Sequence, residues 1–405
     1  MKKDIEIIRQ LAQSYLEICN EDIQDKRRSL WRKHNSLKMT RPLIYTRAFA
    51  WKEMPESQCK CENPLFREHE EKLRKKIFWH SLDDDSIFEP WLEMGVVFKF
   101  SGWGINIAKH STGELGGAYK TDYPLKSLDD ITKMRAPLHE IDEAETAKNL
   151  SMLQDAVGDV IMINLDRGPA CRMWTGDIST DLGHLRGIEN IMMDMMDNPQ
   201  WMHEILAFMR DGIMQNHEMA EAAGDWGLCA HQNQAMPYSE ELRDPVPNAN
   251  GVKRSELWGY MAAQEYTLIS PAMHDEFLLQ YQLPILKKFG LVAYGCCEDL
   301  TRKIDMLRQI PNLRRIAVSP FADLKKCAEQ IGSDYILSYR PNPAEIAETL
   351  NPDRVRTSIK HALEICKANG CHTDITLKDV ETVQGNPDRV REWVKEVRAA
   401  IDKDW

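Results

Sequence analysis

Residues 290–299 read GLVAYGCCED: an apolar run, Leu291 to Tyr294, then a glycine, two adjacent thiols at Cys296 and Cys297, and two adjacent carboxylates at Glu298 and Asp299. Thiolates hold soft metals such as zinc, and a nearby carboxylate can complete the shell. The chemistry to expect is therefore a metal site at the end of a buried strand. The spacing is not that of a zinc finger. Two inert buried cysteines are the structural alternative, since free cysteine is among the most buried residue types.

Other chemistry-bearing residues share that position, just past an apolar run. Arg47 follows PLIYT, Asp166 and Arg167 follow DVIMINL, and His231 follows WGLCA. Ser319 follows RRIAV, Arg340 follows DYILSY, and Lys378 with Asp379 follows TDITL. With WLEMGVVFKF at 91–100 and LVAY at 291–294, these runs make eight strand candidates. Helical patterns separate the later ones, as at 300–309, 322–331, 343–368 and 387–401. Strands alternating with helices predict a (β/α)₈ TIM-like barrel, in which functional groups gather at the carboxyl ends of the strands. A doubly wound sheet would need a glycine-rich phosphate turn after an early strand, and none of the right form is present.

Around this frame, residues 1–40 read as an N-terminal helical extension and 41–405 as one barrel domain. A single helical region is expected over 179–222, its methionines packing the core. A helix carrying Trp258 and Glu265 is expected after the polar loop that begins at His231. Asn351-Pro352-Asp353 and Asn386-Pro387-Asp388 read as helix starts, with asparagine as cap, proline in the first turn and aspartate at the positive end of the dipole.

The whole chain bounds its partners. Its 405 residues carry a formal charge of −11, with 43% hydrophobic and 28% charged residues. That composition fits a globular protein and lacks the basic stripe that nucleic acid requires. No run approaches a membrane span. The ten cysteines follow an N-terminus without an apolar signal core, so thiols in a cytoplasmic protein are expected instead of disulfides.

The segments ISPAMHDEF, GCCEDL, PNLRRIAVSP, DYILSYRPNPA and ITLKDVETV resemble the uroporphyrinogen decarboxylase superfamily. RPLIYTRAFAW and NLDRGP with WTGD and TDLGHLRG extend the resemblance over nearly the whole chain. The closer likeness is to the decarboxylase-like branch beside the corrinoid-dependent methyltransferases. It implies a barrel with an N-terminal helical extension, often dimeric. The decarboxylase pattern is broken. Only the first arginine of its arginine-rich loop remains, as Arg47; Glu89 stands at the aspartate position; LKDVETV has no late histidine. Losing these cationic partners argues against a polycarboxylate tetrapyrrole substrate. The zinc methyltransferase pattern is broken too: Tyr294-Gly295-Cys296 keeps one ligand of His-x-Cys. A metal here would need another set, with Cys296, Cys297 and Glu298 first, and His231 and Glu265 as additions.

The resemblance implies methyl transfer from a small O-, N- or S-methylated substrate to a corrinoid carried by a separate protein, since this chain has no D-x-H-x-x-G corrinoid motif of its own. Zinc would activate the methylated heteroatom as a Lewis acid. The expected catalytic residues are Glu265, Glu298 and Arg340; Arg47, Trp103, Asp166, Arg167, Tyr238 and Lys378 are the expected substrate contacts. The competing readings are a metal-independent decarboxylase or lyase acting on a small carboxylic acid or tetrapyrrole, and a non-catalytic binding protein.

Overall fold

The computed structural model describes residues 1–47, 50–111, 119–347 and 350–405; Ala48 and Phe49, just after the first strand, lie outside them. The strands are β1 (Leu43–Thr46), β2 (Trp91–Gly95), β3 (Ala108–Ser111), β4 (Tyr119–Asp122), β5 (Met162–Asp166), β6 (Trp258–Met261), β7 (Leu291–Tyr294), β8 (Leu313–Val318), β9 (Ile336–Tyr339) and β10 (His372–Leu377). Six form one parallel sheet in the order β1-β10-β9-β8-β7-β6. β2 and β5 form a separate parallel pair, and β3 with β4 an antiparallel hairpin. The fold is α/β with a mostly parallel sheet.

Alternation along the strands sorts the core. Ile375 and Leu377 of β10 turn outward into an apolar layer with Val390, Trp393 and Val397 of the last helix. Asp374 turns the other way, onto Ser338 of β9 and Arg315 of β8. The inward faces of β6 and β7 supply Trp258, Tyr260, Leu291 and Ala293, which pack with Cys296.

Backbone hydrogen bonds do not close the expected eight-stranded barrel among the described residues. Side chains occupy the facing edges instead. The Asp85 carboxylate accepts the Ile44 N–H at 2.8 Å and the Asp84 carboxylate accepts the Thr46 N–H at 2.7 Å, along the free edge of β1. Asn248 does the same for β5, accepting from Leu165 N–H at 3.0 Å and donating to the Ile163 carbonyl at 2.8 Å. His231 Nδ1 accepts the Trp258 N–H of β6 at 3.2 Å. Buried backbone groups need partners, and these side chains provide them where no strand does. Asp84→Ala should strand the Thr46 N–H and cost about 1–3 kcal/mol, read as a lower urea midpoint; an unmoved midpoint would show that this edge bond contributes nothing.

Two strand expectations change. WGLCA at 226–230 is not a strand; Gly227 makes only an isolated bridge to Asn250. The sheet takes WGYM instead, fully buried as β6 and previously expected as helix. Gly259 permits it, because a Cβ there would lie 2.5 Å from the Phe289 ring. The expected helix over 179–222 is three helices, Ile178–Arg186, Ile188–Asp197 and Pro199–Ala222, interrupted at Gly187 and Asn198. Met195 and Met202 are core, whereas Met193 and Met196 are exposed. The cap at Asn351 is as expected, its side chain accepting the Arg354 N–H at 3.1 Å.

The N-terminal helices α1 (Lys2–Cys19) and α2 (Asp22–Asn35) are built into the same core. The last turn of α2 seals the amino-terminal end of the sheet. Trp31 Nε1 donates to the Asp85 carbonyl at 2.7 Å, His34 Nε2 lies 3.2 Å from Asp374, and Asn35 Oδ1 accepts from Arg315 at 3.0 Å. No helix among the described residues is long and apolar enough to cross a membrane.

Candidate functional site

The carboxyl ends of β1, β7 and β10 meet around a cavity of about 300 Å³ lined by Arg47, Trp174, Gln264, Cys296, Cys297, Lys378 and Asp379. The turn after β7 requires Gly295. Its φ is +94°, and a Cβ would lie 2.7 Å from Leu300. Left-handed backbone at this crowded point excludes other residues. Glu298 then clamps the turn: it accepts the Ala263 N–H and the Cys296 N–H, each at 2.8 Å. Gln234 Nε2 holds the Gly295 carbonyl at 3.3 Å.

At the tip, Lys378 Nζ donates to Cys296 Sγ at 2.6 Å and Cys297 Sγ at 3.1 Å. The sulfurs are 3.4 Å apart, and Cys297 donates to Asp379 Oδ2 at 3.2 Å. The hydrogen bond from Cys297 lowers the pKa of Cys296 below the ordinary thiol range against the opposing effect of burial, and the Lys378 charge adds to the lowering. Cys297 is raised, because a neighbouring thiolate and burial both oppose a second negative charge. Cys296 is therefore the member of the pair that ionises first, facing the Lys378 ammonium. Alkylation of Cys296 by iodoacetamide should rise with pH through an inflection below the free-cysteine value of about 8.5. In Lys378→Met that inflection should move up; the same profile in both proteins would remove Lys378 as the stabilising charge.

Arg340 follows β9 and is 2% exposed; it does not line the cavity but is near enough to Cys296 and Arg47 to feel their charges. Its Nη2 donates to Gln234 Oε1 at 3.2 Å, whereas Nε and Nη1 have no partner among the described residues. Burial lowers its pKa, with Asp374 and Cys296 opposing. Four further buried polar atoms near the carboxyl ends of strands are also without a partner among the described residues: Thr46 Oγ1, Arg47 Nη1, the Tyr260 hydroxyl and Ser319 Oγ. The Arg47 guanidinium lies 5.1 Å from the Trp174 ring centroid. Buried groups are normally hydrogen-bonded, and unpaired ones call for an explanation. These unpaired donors, two of them on Arg340, gather toward one end of the sheet.

An acidic cluster flanks this end. Asp177 is fully buried, and burial with the charges of Glu265 and Asp181 raises its pKa well above the carboxylate range. Burial raises Asp181 to about 7, and Glu265 is raised by burial as well. Glu265 follows β6 in a short turn and accepts the Ser179 hydroxyl.

The other expected site residues do not line this cavity. His231 and Tyr238 line a second one of about 460 Å³ with Tyr45, Trp91 and Glu93, and Arg47 lines both. Glu89 precedes β2, accepting from Arg28 at 2.9 Å and from the Tyr238 hydroxyl; it ties to α2 and lines the second cavity with Arg47. Trp103 is buried in the helical layer and donates to Asp181 at 2.7 Å. Asp166 pairs with Arg172, and Arg167 bridges Glu143 at 2.6 Å and Asp225 at 2.5 Å.

The zinc shell expected from Cys296, Cys297, Glu298 and His231 does not fit this arrangement. Lys378 already neutralises the thiolate, both Glu298 oxygens accept backbone N–H groups, and His231 is an edge cap facing the other cavity. Among the described residues no three His, Cys, Asp or Glu side chains gather as a metal shell. Asp177, Asp181, Tyr260, Gln234 and Gln264 were not singled out from the sequence. Tyr260 had a signal in the alternation of WGYM; the others are brought in by tertiary packing.

No family model matches the chain, and no curated protein does. Among solved structures it is similar to a methyltransferase from Methanosarcina mazei, with 13% identity, 93% of this chain and 98% of that chain covered, and a TM-score of 0.48.

Proposed function

We propose that this chain is a methyltransferase that passes a methyl group from a small O-, N- or S-methylated substrate bearing an anionic group to a corrinoid carried by a separate protein. The sequence resemblance suggests the reaction. One observation supports the substrate's charge: the buried, unpaired nitrogens of Arg340, placed with Arg47 and Lys378 at the strand ends. In this reading the two sheets are the walls of an eight-stranded barrel, and the protein works as a homodimer.

Arg340 and Arg47 bind the anionic group, arginine's planar fork suiting a carboxylate. Trp174 stacks on Arg47 and walls the cavity. A reduced corrinoid supplies a nucleophile for the methyl carbon. The methyl–heteroatom bond breaks, the heteroatom keeps the electron pair, and Lys378 supplies the proton or cation that stabilises it. No step needs zinc at the cysteines. Leu268 and Phe321, 85% and 76% exposed, lie on the loops after β6 and β8, at the same end as the cavity.

The test is cobalt methylation, followed optically with the purified chain, reduced cobalamin as stand-in acceptor and a panel of methylated acids. Chain-dependent methylcobalamin formation supports the proposal; none with any methyl donor defeats it. The cationic side chains Arg47, Arg340 and Lys378 also suit the runner-up, a metal-independent decarboxylase or lyase acting on a small acid. Release of carbon dioxide from an acid without cobalt methylation would establish that reading.

A further inference from the structure

We propose that Cys296 and Cys297 are a thiol–disulfide exchange site at which a low-molecular-weight disulfide converts the pair into a reversible Cys296–Cys297 disulfide. The inference goes beyond methyl transfer and does not depend on it.

Geometry carries it. The two sulfurs are 3.4 Å apart on consecutive residues, and both line the 300 Å³ cavity. Lys378 Nζ touches both, at 2.6 Å and 3.1 Å, and so stabilises an attacking or departing thiolate. Asp379 Oδ2, 3.2 Å from Cys297 Sγ, is an acceptor for the Cys297 proton. Cys297 is half-buried and Cys296 buried, yet both line this cavity, whereas Cys19, Cys61, Cys171, Cys327, Cys366 and Cys371 are buried and line none of it.

The steps balance. The Cys296 sulfur attacks one sulfur of R–S–S–R, forming a mixed disulfide and expelling RS⁻, which is protonated to RSH. Cys297 gives its proton to Asp379 and attacks the Cys296 sulfur, expelling the second RS⁻, which takes up that proton. Two thiols and one external disulfide become one internal disulfide and two RSH; two electrons pass from the pair to the external disulfide. The sulfurs must close from 3.4 Å to about 2.05 Å. Adjacent Cα atoms are about 3.8 Å apart, short of the roughly 4.4–6.8 Å of ordinary disulfides. The ring is therefore strained and easily reduced, as labile and regulatory disulfides are. Oxidation would remove the thiolate facing Lys378 and leave that ammonium to Asp379 alone, changing the charge at the cavity.

The experiment incubates the native full-length chain with oxidised glutathione, blocks free thiols with iodoacetamide and digests with trypsin. The peptide from Phe289 to Arg302 contains both cysteines and no others. Its expected state is the loss of two hydrogens with no alkylation, reversed by dithiothreitol. Cys297→Ser is expected to stop at one glutathione on Cys296. Full alkylation of both cysteines in the wild-type peptide would overturn the proposal, as would a glutathione adduct that never resolves.

Discussion

Asp374→Ala should lower the unfolding free energy by about 3–5 kcal/mol, the largest loss expected of any substitution away from the cavity. Asp374 is fully buried and accepts from Arg315, from Ser338 at 2.6 Å and from Thr376 at 2.9 Å, with His34 at 3.2 Å. Removing it leaves Arg315, 1% exposed, as a buried charge without its counter-ion. The cost comes mainly from that uncompensated charge, so Arg315→Met placed on top of Asp374→Ala should recover much of it. A double-mutant cycle in urea measures the recovery. Additive losses would show that the two side chains act independently.

The same cluster sets a pH dependence. Burial would raise the Asp374 pKa, but the Arg315 charge and the His34 hydrogen bond outweigh it and hold it below the ordinary range. Its contribution is present above the unfolded value of about 3.9 and is lost as pH falls through the lower folded value. Burial also lowers His34, which remains neutral in the fold. Stability therefore begins to decline below the unfolded imidazole value of about 6.5, and in His34→Gln that decline should be shallower but not absent, because burial lowers His69, His217, His231 and His274 as well.

The strand-end rule made much of the site legible. Arg47, Cys296, Cys297 and Lys378 line one cavity, and Arg340 is buried near enough to Cys296 and Arg47 to feel their charges, because parallel strands with helical crossovers all present their carboxyl ends to the same side. It misled at His231, because WGLCA carries the composition of a strand without pairing as one. The true strand, WGYM, was hidden by its flanks: Trp258 and Glu265 fit a helical period, and only the contact of Gly259 with Phe289 reveals the close packing of a sheet. Glu298 was legible as an acid near the thiols but not as a clamp, since backbone N–H groups leave no mark on sequence. Asp177 and Asp181 were invisible for a related reason. Their raised pKa values come from burial against Glu265, which lies more than eighty residues away in the chain.

The two ends of the sheet differ in what they leave unpaired, and that difference gives the sharpest expectation. At the amino end, α2 supplies Asn35 and His34 to the polar groups it covers. At the carboxyl end, Arg340 retains two unpaired nitrogens, against one, Arg315 Nε, at the amino end among the described residues. A buried cation without a counter-ion is a stability cost, so Arg340→Ala should unfold at an equal or higher urea concentration than the natural chain. Function should move the opposite way. Charged hydrogen bonds contribute about 1.5–3 kcal/mol, so kcat/KM for the methylated acid that turns over should fall about 10–150-fold. Arg340→Lys keeps the charge but loses the fork, and should recover only part of the loss. A less stable Arg340→Ala protein with unchanged kcat/KM would make the guanidinium a structural strut and remove the anion from the proposed substrate. A stable protein with lost turnover would mean that the fold bears the cost of an unpaired charge for the ligand it binds.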